Sequence, residues 1–307
     1  MDRDILYKLI FDSKFRASWL GYHGFYNYMS DEKYLKALWK RKRGTELNLD
    51  NPKQFSEKLQ WLKLNDRNPY YTKLVDKSEV KKIVRNQLGE EYIIPTLYEW
   101  ESADDIDFDI LPNQFVLKCT HNSGGVCVCE DKDKLDRTKV RSMLRKQLRR
   151  NYYYSGREWP YKNVKPRIIA EQYMVNEETG DLPDYKFMCF NGRVECIFVM
   201  TERHSLSGVK ITIFDKKWNV LPFERVGHPR SEVPIKKPDT LNKMIEMAES
   251  MSREMAFVRI DFYEINKKIF FGEYTFYPAS GIQCFTPDSV EYELGELLDI
   301  GKVKVRR

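Results

Sequence analysis

The sequence has no CxxC pair among its six cysteines, no apolar run long enough to span a membrane, no internal repeat and no low-complexity stretch. Each absence removes a class. Cysteines scattered through apolar, strand-like surroundings read as buried thiols rather than zinc ligands or a disulfide framework, which fits a reducing cytoplasm. Without an apolar run of about 20 residues there is no candidate span. The opening stretch MDRDILYKLIFDSKF carries charges within its first residues and does not read as a signal peptide. A large excess of one charge sign is missing too: 52 Lys and Arg against 46 Asp and Glu give +6. That excess is too small and too dispersed to argue for nucleic acid, although it favours an anionic substrate or an anionic membrane surface.

What is present suits a globular enzyme. The 307 residues are 42% hydrophobic and 14% aromatic, enough for a large core and more than one lobe. Residues 1–50 read as helical and basic, with Tyr34, Leu35, Leu38 and Trp39 on one helical face. The run Lys40–Arg43 before Gly44 is a charged helix end. These N-terminal helices leave room for a membrane-surface role without establishing it. FSEKLQWLKLN predicts a second helical segment, and Tyr71–Leu88 a further helix stopped by Gly89. Strands are then expected at YIIPTLYEW and QFVLKCTH, the latter turning back through Gly-Gly into VCVCE. A basic helix is expected over 137–151 and strands over 167–174, 185–191 and 194–200, the last two joined by an Asn191-Gly192 turn. A strand pair over 209–221, a helix over 239–255, a hairpin of 257–264 with 268–274 and a helix over 290–298 complete an α+β pattern of mostly antiparallel sheets.

Four segments carry chemistry. In FVLKCTHNSGGVCV, Lys118 ends an apolar strand and Ser123, Gly124 and Gly125 form a loop whose backbone N–H groups can approach phosphate oxygens. A plain hairpin turn with a surface lysine has the same pattern. In FVRIDFYEINKKIFFGEYTFYPASG, Arg259 and Asp261 share a strand face while Glu273 and Thr275 return on the partner strand. Paired carboxylates of this kind suit Mg²⁺, and an adjacent arginine suits a transferring phosphoryl group. Cross-strand salt bridges would use the same residues. In RIIAEQYMVNEETGDLPDYKFMCFNG, a strand ending at Glu171 runs through a polar hinge to Asp184 and Lys186, a place for an adenine edge and ribose hydroxyls. Each acid also has an ordinary surface reading. In LVDKSEVKKIV, Lys77 follows Asp76 at a helix start, which favours anions but is equally a capped terminus with a solvated lysine.

The order of these segments resembles the ATP-grasp superfamily. NPKQFSEKLQWLKLNDRNPYYTKLVDK, THNSGG and FFGEYTFYPASG are similar to the TupA-like ATP-grasp family of bacterial surface-polysaccharide gene clusters, over roughly residues 45–300. The resemblance implies two α+β lobes holding ATP between antiparallel sheets: a helical segment over 1–70, then an ATP-grasp domain over 71–300 with a smaller lobe at about 112–172 and a catalytic lobe at about 173–300. It implies that Lys77 and Lys118 contact ATP phosphates and that His121–Gly125 closes over them, with Lys118, His121 and Arg259 as catalytic residues. Glu171, Tyr173 and Met174 would hold the adenine, Asp184 the ribose, and Lys186 would join the nucleotide site. Asp261 and Glu273 would ligate Mg²⁺. Thr275, where many ATP-grasp ligases have Asn, would be a third ligand through its hydroxyl, a weaker donor for a second metal position.

The implied activity is ATP-dependent ligation of a carboxylate to an amine through an acyl phosphate. The substrates would be an anionic glycan or a nucleotide- or lipid-linked sugar precursor, such as a uronic acid, and an amino acid or amine, with the protein expected in the cytoplasm and the inner face of the membrane as a further place for it. A sugar kinase could use the same site. A glycosyltransferase is disfavoured because Asp104-Asp105-Ile106-Asp107 reads as an acidic turn rather than a metal motif. A non-catalytic glycan- or membrane-binding protein would have no use for the combination of Lys118, Asp261 and Glu273.

Overall fold

A computed structural model of the chain describes residues 3–22, 24–175, 184–202 and 208–306. Six helices come first: α1 (Arg3–Phe11), α2 (Ser13–Tyr22), α3 (Asp31–Arg43), α4 (Phe55–Asn65), α5 (Tyr70–Val75) and α6 (Glu79–Leu88). Helix α3 buries the expected face of Tyr34, Leu35, Leu38 and Trp39. It ends at Gly44, whose left-handed backbone (φ 75°) lets its N–H return to the Lys40 carbonyl.

The single helix expected over 71–88 is two. Asp76 breaks it: its Oδ1 accepts from the Ser78 N–H at 2.9 Å and the Glu79 N–H at 3.3 Å, capping α6 from outside the helix. The interruption frees the Lys77 N–H to donate to the Thr120 carbonyl at 3.1 Å, tying the helical region to the loop that follows Lys118.

Two antiparallel sheets follow. The smaller one runs β1 (Thr96–Trp100), β4 (Ile168–Gln172), β2 (Phe115–Cys119), β3 (Cys127–Cys129) in spatial order, with α7 (Arg137–Leu148) on one face. It draws in Thr96–Trp100, ahead of the start at 112 that the sequence suggests. Phe115, Leu117, Cys119, Ile168 and Ala170 point to the core beneath α7, so the alternate residues Val116, Lys118, Ile169 and Glu171 face the other way. A short turn, α8 (Tyr153–Gly156), lies between α7 and β4.

The larger sheet has the order β10 (Lys268–Thr275), β9 (Phe257–Ile265), β5 (Asp184–Phe190), β6 (Arg193–Thr201), β7 (Lys210–Phe214). Helix α9 (Leu241–Ser252) packs on β5, β6 and β9, burying Met244, Met247, Ala248 and Met251. The same core takes in Phe55, Leu59 and Leu62 of α4. Strands β8 (Glu224–Arg225) and β11 (Phe285–Thr286) form a small ladder, and α10 (Val290–Leu297) packs on α4.

The strand pair expected over 209–221 is only half formed. After β7 the Asp215 carboxylate collects the N–H groups of Lys217 and Asn219, both at 2.8 Å, into a tight turn. Trp218 then folds back flat on Phe214, ring centres 4.1 Å apart. The return contact is one isolated bridge from Phe214 to Val220. The cysteines are all free; Cys119, Cys129, Cys189 and Cys196 are buried, whereas Cys127 and Cys284 are only half-buried.

Candidate active site

The site is a cleft whose two walls carry opposite charge balance. On the smaller sheet, Glu171 of β4 and Lys118 of β2 emerge on the face away from α7, because Glu171 stands opposite Val116 in the ladder. Glu171 is clamped: Lys118 Nζ lies 2.5 Å from its Oε2, and Lys81 Nζ of α6 lies 2.6 Å from its Oε1. Burial alone would raise its pKa, but the two lysines outweigh that and hold the carboxyl below its ordinary value.

Lys77 joins this wall from the break between α5 and α6. Its Nζ donates to the Asn122 carbonyl. Burial lowers its pKa, an effect opposed by Glu273 and Glu171 and reinforced by Lys118. Lys77 therefore lies within electrostatic reach of both walls.

On the larger sheet the acids and bases lie in register. Asp261 of β9 pairs with Lys186 of β5 on one side and Glu273 of β10 on the other, while Arg259 pairs with Thr275. Lys186 Nζ sits 2.5 Å from both Asp184 Oδ2 and Asp261 Oδ2. Arg259 donates to both oxygens of Asp261 at 2.7 Å and to Glu273 Oε1 at 2.8 Å. Thr275 Oγ1 donates to the same Glu273 oxygen at 3.1 Å.

A bulge at Gly272 sets this geometry, since the register shifts between Phe271 and Glu273. A Cβ at 272 would lie 3.0 Å from the Asp261 carbonyl oxygen, so a larger residue there would push the strands apart by a few tenths of an ångström. The Asp261 carboxyl is buried and pushed above its ordinary pKa by desolvation, against the pull of Arg259 and Lys186. Glu273 keeps 43% of its side chain accessible. Desolvation raises its pKa, but Arg259, Lys77 and Lys186 together bring it below the ordinary value.

The donor set fits a hard divalent cation. Two carboxylates stand at paired positions, and among the described residues no group of three or more His, Cys, Asp or Glu is gathered that could hold a metal ion by itself. Mg²⁺ takes one or two carboxylates and completes its shell with phosphate and water oxygens. The Thr275 hydroxyl donates to Glu273 and fixes the orientation of that carboxylate.

The loop after Lys118 has the expected glycine geometry. Gly124 (φ 86°) and Gly125 (φ 66°) are left-handed, and a Cβ at 125 would meet Gln147 Cγ at 2.6 Å. Ser123 and Gly124 are exposed and Gly125 half-buried. His121 is placed differently from the rest: its ring is buried, with Nε2 between the carbonyls of Gln147 at 3.2 Å and Arg150 at 3.0 Å. It closes the C-terminal end of α7 and anchors the loop there, while Asn122 Nδ2 donates to Gln147 Oε1 at 3.0 Å.

Beyond Glu171 the chain passes the hinge. Tyr173 reaches Glu130 at 3.5 Å, and Met174 helps to line a cavity of about 610 Å³ with Gln172, Tyr92, Ile93, Pro95 and Phe270. None of the charged cluster residues lines that cavity, whose wall also carries Glu90, Glu91, Lys243, Lys267 and Lys268. The segment 176–183, between the hinge and Asp184, lies outside the described residues.

Sequence reading missed three contributors. Lys81 lies in α6, four residues after Lys77, and the spacing of the two lysines in a segment read as one helix was the available signal. Arg167, just before β4, holds Asp76 at 2.7 Å and so supports the break that presents Lys77. Glu158 and Lys63 form a buried polar centre beneath the cleft. Lys63 Nζ donates to the carbonyls of Gly156 at 2.7 Å and Ser280 at 2.8 Å, and burial pushes its pKa down to about 8. Burial pushes Glu158 up to about 7 against the attraction of Lys63, with Ser280 and Tyr152 bonded to it. Neither residue has a motif.

The TupA-like ATP-grasp family model matches residues 57–299, most of the chain, and the chain belongs to that family. No curated protein matches it significantly. Among solved structures it is similar to a D-alanine–D-alanine ligase from Bacillus anthracis complexed with ATP (18% identity, 73% of this chain and 64% of that one, TM-score 0.42). It is also similar to the ATP-grasp ligase PsnB complexed with a minimal precursor (10% identity, 78% of this chain and 63% of that one, TM-score 0.43). The Helicobacter pylori D-alanine–D-alanine ligase is a further match at 17% identity, with 78% of this chain and 62% of that one covered and a TM-score of 0.33. The chain thus spans slightly less than two thirds of these three structures.

Proposed function

We propose, starting from this family membership, that the protein is an ATP- and Mg²⁺-dependent ligase joining a carboxylate to an amine. The observation that carries the proposal is the division of charge across the cleft. One wall sets three lysines (77, 81 and 118) around a single glutamate; the other sets Asp184, Asp261 and Glu273 around Lys186 and Arg259. Polyphosphate suits the first wall and a divalent cation the second. Such a cleft transfers a phosphoryl group by positioning and charge neutralisation, without a side-chain nucleophile.

Asp261 and Glu273 would hold Mg²⁺, which supplies charge neutralisation at the phosphate oxygens. Lys77, Lys118 and Lys186 would bind the phosphates, and Arg259 would steady the group in flight. Ser123, Gly124 and Gly125 offer backbone donors above it, with His121 as the loop's anchor. Glu171, Tyr173 and Met174 would hold the adenine at the hinge, and Asp184 would meet the ribose. A substrate carboxylate oxygen then attacks the terminal phosphorus and ADP leaves. The amine nitrogen attacks the resulting acyl phosphate, losing a proton as inorganic phosphate departs. For the acceptor we propose a uronic-acid glycan or its precursor in capsule, lipopolysaccharide or teichuronic-type polymers, with an amino acid or amine as nucleophile.

The test is to supply Mg-ATP, a uronic-acid glycan and an amino-acid mixture, and to identify the products by mass spectrometry. An amide accompanied by ADP and phosphate supports ligation; a phosphorylated sugar without amide replaces it with a kinase. Glu273→Gln should cut ATP turnover by at least about a hundredfold while leaving the thermal melt of the free protein near that of the parent. Undiminished turnover would remove the metal assignment.

A further inference from the structure

We propose that the N-terminal helical segment docks on an anionic lipid bilayer, with the outer face of α1 seated among the headgroups. The proposal begins with a face that the fold leaves uncovered. Leu6, Tyr7, Ile10 and Phe11 of α1 expose 47%, 64%, 56% and 71% of their surface. At 3.6 residues per turn these four positions fall within an arc of about 140°, one continuous apolar stripe. The turn after α2 adds Phe25 at 63% exposed and Tyr28 at 99%. Scattered single apolar residues on a surface are ordinary, but a continuous stripe of this kind marks an interaction surface.

Charge decides the occupant. Residues 1–43 contain ten Lys and Arg against five Asp and Glu, five of the six net positive charges of the chain. Helices α1 and α2 with the residue between them hold Arg3, Lys8, Lys14 and Arg16 against Asp4 and Asp12, and the end of α3 adds Lys40, Arg41, Lys42 and Arg43. The other 264 residues are close to neutral. A second copy docking on the same face would bring like charge against like charge, whereas an anionic bilayer brings the opposite sign. The aromatic content fits the same partner, since Tyr and Phe settle where an apolar body meets a polar boundary. Helix α1 has nine residues, and among the described residues no helix is long and apolar enough to cross a membrane. The mode is therefore lying on the surface rather than spanning.

Nothing here depends on ligase activity, and the assay needs no nucleotide. Full-length protein is co-sedimented with vesicles of phosphatidylcholine alone and of phosphatidylcholine mixed with phosphatidylglycerol. The expected result is retention on the anionic vesicles that falls by about tenfold or more on neutral vesicles, and likewise in high salt. Ile10→Asp with Phe11→Asp should cause a similar loss on anionic vesicles. Tyr28→Asp provides a second variant outside α1, and melts followed by circular dichroism check that each variant folds. Equal retention on neutral vesicles, no retention on anionic ones, or retention indifferent to these substitutions would overturn the proposal. So would a dimer in light scattering that Ile10→Asp with Phe11→Asp separates, because the face would then belong to a second copy.

Discussion

At the residue scale the cleft is a balance of competing partners. Glu171 is divided between Lys118 and Lys81, so Lys81 governs how tightly Glu171 holds Lys118. With Lys81 replaced by Ala, Glu171 leans on Lys118 alone and keeps it from the phosphates. The expected outcome is a KM for ATP raised about five- to tenfold with kcat much less affected, measured by initial rates. Glu158 supplies a pH signature. Its pKa stands at about 7 in the folded protein against an ordinary 4.5, so its neutral form is favoured by folding. Its contribution is complete below pH 4.5, declines as pH rises, and is lost above about 7. Melting scans between pH 5 and 7.5 should show a decline that Glu158→Gln reduces by several degrees.

At the scale of elements, the positions of functional atoms follow from interruptions rather than from regular structure. The Asp76 break turns one amphipathic helix into two and presents Lys77 to the loop. The bulge at Gly272 brings Glu273 opposite Asp261. Gly272→Ala would press a methyl against the Asp261 carbonyl at 3.0 Å and Tyr263 Cε2 at 3.1 Å. Relieving that contact moves β10 against β9 and shifts Glu273 from its partner. A stability loss of about 1–3 kcal/mol in urea denaturation is expected, together with loss of the thermal shift that Mg-ATP confers. A stability loss with the Mg-ATP shift intact would show that the bulge does not place the carboxylate.

At the scale of the whole molecule, Lys63 links three regions that are distant in the chain. It leaves α4, reaches the Gly156 carbonyl after α8, and reaches the Ser280 carbonyl and hydroxyl beyond β10. Its neighbour Arg157, itself buried, lies over Tyr34 at 4.4 Å and donates to the Met29 carbonyl, which fastens the N-terminal region to the same place. Lys63→Met would leave two carbonyls and the Glu158 carboxyl without their cation in a buried site. A cost of about 3–5 kcal/mol, or roughly 10 °C in Tm, is expected by calorimetry.

What the sequence determined by itself is local or ordered along the chain. The alternation in FVLKC decided that Lys118 leaves its strand opposite the core. FVRID and FFGEYT announced two hairpin strands with Arg259 and Asp261 on one face and Glu273 and Thr275 returning on the other strand, though not the bulge at Gly272 that sets their register. Asn191-Gly192 announced its turn, and the order of the blocks pointed to the family. The tertiary structure decided which charges meet. That Glu171 is shared with Lys81, that Lys77 lies between both walls, that His121 is an anchor and that Lys63 finds Glu158 all depend on contacts across dozens to hundreds of residues. Such contacts leave no periodic trace, because desolvation and Coulomb attraction act through space while side-chain patterning records only which face of an element is buried.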